Sequence, residues 1–63
     1  MDKEQIKQLR LNLGMSQQAF ATRLGISITT VNRWETGDFK PSHFAEEKLQ
    51  KLHGKYERKT KSN

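Results

Sequence analysis

Apolar residues along this chain fall at spacings of three and four, and nowhere in strict alternation. Ile6, Leu9 and Leu13 form a first stripe, and Phe20, Ala21 and Leu24 a second. Val31 and Trp34 make a third, with Ile26 just ahead of it. Ala45, Leu49 and Leu52 make a fourth, with Phe44 alongside. This period belongs to helices that bury one face. Leu11 stands off its stripe and is expected to be half exposed. The polar punctuation agrees with the stripes. Asp2, Ser16, Ser27 and Ser42 each precede one, and Gly14, Gly25, Gly37 and Gly54 each follow one. Asp and Ser side chains accept from unpaired N–H groups at helix starts, and Gly supplies the left-handed residue at helix ends. Asp2 and Gln5 also have the spacing of a capping box. The pattern predicts an all-α, compact four-helix domain, with helices over about 2–13, 16–24, 27–36 and 42–53.

The third helix is the one that composition disputes. Ile26, Ile28, Thr29, Thr30 and Val31 are all β-branched, a preference for extended chain. Periodicity decides the question. At about 100° per residue Val31 and Trp34 share one face, while Thr29, Asn32, Arg33 and Thr36 lie opposite and Ile28 lies on the flank. A strand would put Val31 beside Arg33 and separate it from Trp34. A helix of such poor intrinsic propensity must be held by tertiary packing. Its outer face, lined with Thr, Asn and Arg, is left without a structural reason.

Composition narrows the possibilities. Sixty-three residues make one small domain, and the absence of Cys removes both disulfides and thiolate zinc sites. Stability then has to come from tight helix packing or a partner. His43 and His53 stand ten apart with no further ligands around them, so they read as surface residues rather than metal ligands, and no cofactor is expected. Twelve basic against seven acidic residues give a net charge of +5. Residues 1–52 hold eight basic and six acidic residues, and 53–63 hold four and one, so most of the excess sits near the C-terminus. That balance suits a polyanion or simply a solubilising surface, and charge alone does not choose. Nothing resembles a signal peptide or a membrane span, so a cytoplasmic protein is expected. Residues 1–54 read as the domain, and 55–63 (KYERKTKSN) as a basic flexible tail whose Lys55, Arg58, Lys59 and Lys61 add non-specific phosphate attraction. No Gly-rich phosphate loop, metal cluster or spaced nucleophile set argues for an enzyme.

The second and third helices are joined through Leu24, Gly25, Ile26 and Ser27 alone, a corner of helix-turn-helix dimensions. With IKQLR at 6–10, LGMSQ at 13–17, FATRLGIS at 20–27, TVNRWETG at 30–37 and KPS at 40–42, the chain resembles the phage-repressor and Cro-type (XRE-like) helix-turn-helix family over roughly residues 5–53. The resemblance implies a DNA-binding transcriptional regulator whose third helix enters the major groove of double-stranded DNA. Carried over position by position, it puts Ser27, Ile28, Thr29, Asn32 and Arg33 at base edges. Arg33 suits guanine O6 and N7, Asn32 suits adenine or a phosphate, and Ile28 and the Thr29 methyl suit thymine methyls. Ile28 also reads as a plain surface aliphatic, and Thr30 as packing at the helix edge. Ser16 and Gln17, at the start of the second helix, and Thr36, Lys40 and Ser42, around the loop after the third, are the implied phosphate contacts. The family further implies an ion pair between Arg10 and Glu35.

Many relatives add a fifth, apolar helix for dimerisation. The chain after Gly54 has one aromatic and no aliphatic residue, so a monomer or a weak dimer formed only on DNA is expected. A small phage, plasmid or bacterial repressor is the leading reading. An antitoxin of this fold that also binds a protein toxin, and a protein-interaction or DNA-processing accessory module, are the alternatives.

Overall fold

The computed structural model describes the backbone of residues 1–61 and the side chains of residues 1–55. Four helices follow in order: α1 (Lys3–Asn12), α2 (Gln17–Leu24), α3 (Ile28–Thr36) and α4 (His43–Lys61). Each starts where a cap side chain stands. Asp2 accepts from Gln5 N–H at 2.8 Å while the Gln5 side chain accepts from Asp2 N–H at 2.9 Å, which completes the capping box. The hydroxyl oxygens of Ser16, Ser27 and Ser42 accept from Ala19, Thr30 and Ala45 N–H at 3.1, 3.2 and 3.2 Å.

Three helices also end alike. The N–H groups of Met15, Ile26 and Asp38 reach back to the carbonyls of Arg10, Ala21 and Arg33 at 3.1, 3.0 and 3.0 Å, the six-to-one bond of a Schellman closure. At the α2–α3 corner Gly25 supplies the required left-handed residue, with φ of 74°, and Ile26 turns its side chain onto the core. That pairing of a left-handed Gly with an apolar residue after it makes the corner tight.

The core is Ile6, Leu9, Phe20, Ala21, Leu24, Val31, Trp34, Leu49 and Leu52, contributed by all four helices. Leu13, Met15, Ile26 and Ala45 pack partly buried against it. α3 lies against both α1 and α2. Its β-branched residues lose roughly half a kcal/mol each relative to Ala in a helix. Burial of Val31 and Trp34 contributes about 1.5–3 kcal/mol apiece, so packing wins over propensity. Leu11 is half exposed, as its place off the stripe predicts.

Two expectations are corrected. α4 does not stop at Gly54: its bounds run to Lys61, and Gly54 lacks the positive φ seen at Gly14, Gly25 and Gly37. A Gly lowers helix stability by about 1 kcal/mol but does not by itself impose a left-handed turn. Phe44 is 69 % exposed, because it lies about a quarter-turn off the line through Ala45, Leu49 and Leu52. Its ring instead carries the Lys48 ammonium 5.2 Å above it. The flexible tail expected at 55–63 falls largely on side chains outside the described residues.

Candidate nucleic-acid interface

α3 divides as its period requires. Val31 and Trp34 are buried, whereas Ser27, Ile28, Thr29, Asn32, Arg33 and Thr36 are all exposed. Thr30 is half-buried at the helix edge, its hydroxyl 2.9 Å from that of Ser27. The helix thus offers a methyl-rich first turn, with Ile28 and Thr29, followed by an amide and a guanidinium one residue apart. The side chains of Ile28, Thr29 and Asn32 are turned to solvent, so their exposure has no role in packing the domain.

The start of α2 is tied to α3 from below. Arg10 donates from Nε to Glu35 Oε2 at 2.7 Å, from Nη2 to Glu35 Oε1 at 3.0 Å, and from Nη1 to the Met15 carbonyl at 3.0 Å. The two side chains are only 11 % and 5 % exposed. Gln17 adds a bond from Nε2 to Glu35 Oε1 at 3.1 Å. One carboxylate therefore joins α1, the first residue of α2 and α3. Burial pushes the Glu35 carboxyl up, but the bonds from Arg10 and Gln17 outweigh it and hold the group below its ordinary value. The bond to Glu35 likewise raises Arg10 against its own desolvation.

The polar groups around these ends differ in what they have left to give. Ser16 and Ser42 use their oxygens as cap acceptors and keep their hydroxyl protons for an outside acceptor. Gln17 directs its amide inward to Glu35, leaving its backbone N–H among the unpaired donors of the first turn. Thr36 donates its proton to the Arg33 carbonyl at 3.2 Å, so its hydroxyl faces outward as an acceptor only. Lys40 is exposed in the loop, beside a groove lined also by Lys3, Gly37 and Phe39.

Two features of the surface have no counterpart in the residue pattern. The Arg33 guanidinium lies 5.0 Å from the centre of the Phe39 ring. Phe39 sits six residues on, in a loop, where helical spacing gives no hint of contact. The second is a basic cleft away from α3, lined by Arg23, Leu24, Lys48, Lys51, Leu52 and Lys55, in which Lys48 Nζ reaches the Leu24 carbonyl at 3.3 Å. The Lys48 ammonium there sits at the negative C-terminal end of α2.

Among the described residues no group of His, Asp and Glu has the makings of a metal site, and no helix is long and apolar enough to cross a membrane. The arrangement has unpaired N–H donors at helix starts, an outward helix face of mixed methyl, amide and guanidinium groups, and a rigid link between the two. It is suited to gripping a polyanion and reading its edges. No curated protein and no solved structure matches the chain. A family model described as Helix-turn-helix matches residues 6–60, nearly the whole of it. The chain therefore belongs to the helix-turn-helix family of phage-repressor and Cro (XRE) type, and it is a DNA-binding regulator of that class.

Proposed function

We propose that this protein is a sequence-specific repressor of transcription, of the small phage, plasmid or bacterial kind, acting in the cytoplasm. The observation that carries the reading is the outward face of α3, where Ile28, Thr29, Asn32 and Arg33 are exposed and none belongs to the core. α3 enters the major groove with its N-terminal end leading. Arg33 donates to guanine O6 and N7, Asn32 pairs with adenine, and Ile28 and Thr29 press on thymine methyls. Ser27 stands at the tip of the helix, within reach of the first base edge. The Ser16 and Ser42 hydroxyls, the Gln17 backbone N–H and Lys40 grip phosphates on either side. Thr36, with its proton turned inward, contributes through water.

A single module of this kind buries about 600–1,000 Å² of its own surface on DNA, so binding is modest and steeply salt-dependent. The protein is a monomer in free solution and pairs only weakly on DNA. Electrophoretic mobility shift on the protein's own promoter tests the reading. Loss of the specific band with Arg33→Ala and Asn32→Ala supports it. Unchanged specific binding in both variants removes α3 from the role of reader, and a stable dimer in sedimentation at micromolar concentration refutes the monomer.

A further inference from the structure

The Arg33–Phe39 contact has a structural cause. After α3 the chain wraps around one atom. The Arg33 carbonyl oxygen accepts from the N–H groups of Gly37, Asp38 and Phe39 at 3.1, 3.0 and 3.3 Å, and from the Thr36 hydroxyl at 3.2 Å. Gly37, with φ of 89°, makes this reversal possible. The fold-back brings Phe39 under the side chain of the same residue whose carbonyl it caps. Phe39 is 51 % exposed, so burial of its ring is incomplete and leaves one region open to solvent.

We propose that Phe39 is a positioning residue for sequence readout, a flat support that orients the Arg33 guanidinium before DNA arrives. The proposal rests on Arg33 being a base-reading residue, as argued above. An exposed arginine has many rotamers, and freezing the side chain into one of them on binding costs affinity. Stacking on an aromatic face removes part of that cost in advance. A carboxylate partner would do the same while occupying the N–H donors. A ring face attracts the cation through its quadrupole and leaves all five N–H groups available for guanine. Among the described residues no carboxylate or carbonyl is bonded to the Arg33 side chain, so the ring is its sole support there.

The test compares Phe39→Leu, Phe39→Trp and Arg33→Ala on the promoter duplex and on a duplex of scrambled sequence, with thermal unfolding recorded for each variant. Leu keeps an apolar side chain at the groove edge but removes the ring. The expected result is a two- to five-fold loss of specific affinity in Phe39→Leu. Binding to the scrambled duplex and the melting temperature are unchanged, and Phe39→Trp binds as the parent does. In the free protein, the side-chain protons of Arg33 lose their ring-current shift in Phe39→Leu and keep one in Phe39→Trp. Equal losses on both duplexes, no loss at all, or tighter specific binding in Phe39→Leu overturn the proposal. If Arg33→Ala itself leaves specific binding intact, then the reading of Arg33 has failed, separately from that of Phe39. The ring-current signature, measured without DNA, tells the two failures apart.

Discussion

Two arginines in this small domain are held in opposite ways, and the contrast separates architecture from readout. Arg10 is almost buried, and its guanidinium donates to both oxygens of Glu35 and to the Met15 carbonyl. Arg33 is exposed and rests on the face of Phe39, an acceptor of no N–H bond in the plane of the guanidinium. The first uses its donors to join α1 to α3. The second keeps them for a partner outside the molecule. A charged side chain reveals its task by whether its hydrogen-bonding capacity is consumed within the fold.

The largest effects expected are those that break the Arg10 side of the comparison. Arg10→Ala or Glu35→Ala leaves an uncompensated, nearly buried charge and is expected to destabilise the domain by about 3–5 kcal/mol, enough to unfold much of it. Circular dichroism melts that stay near those of the parent in both variants would defeat this. Acid acts on the same pair. Glu35 is held below its ordinary value of 4.5, so its contribution is complete above that value and is lost as pH falls through the lower folded one. Glu46 is held down in the same direction by its bond to the Met1 ammonium and adds to the slope. Stability measured by urea unfolding should therefore fall below about pH 4.5. Glu35→Gln should make the fall shallower, and an unaltered slope would show that other carboxylates carry it.

Arg33→Ala sharpens the contrast from the other side. It is expected to change stability by no more than about 1 kcal/mol, since only an exposed ring contact is lost. It should also lower discrimination between operator and non-operator DNA by about 1–3 kcal/mol. A variant that unfolds instead would make Arg33 a second Arg10. Gln17→Ala should cost about 1.5 kcal/mol of stability, less than the loss of either Arg10 or Glu35, because it removes one bond to a charged acceptor that Arg10 still satisfies. The Glu35 carboxyl should then titrate at a higher pH, as two-dimensional NMR would record.

Much of this was legible in the residue order. Local backbone needs are written locally, so the caps at Asp2, Ser16, Ser27 and Ser42 and the left-handed turns at Gly14, Gly25 and Gly37 follow from single residues and their neighbours. The division of α3 into a buried and an outward face follows from helical period. Gly54 shows the limit of the same logic. A glycine permits a left-handed turn, but a following chain that continues the helix leaves the permission unused. The Phe44 ring illustrates it again, since an apolar residue off the stripe has no core to enter.

The sequence by itself determined the four-helix architecture, the tight α2–α3 corner and the polar set facing outward from α3. Each depends on interactions within a few residues or on the period of one helix. Tertiary structure alone decided which polar groups are already engaged. Gln17 meets Glu35 across 18 positions, and Phe39 meets Arg33 only because the chain folds back around the Arg33 carbonyl. Such contacts are set by how helices and loops come together in space, and a linear pattern carries no distance between them.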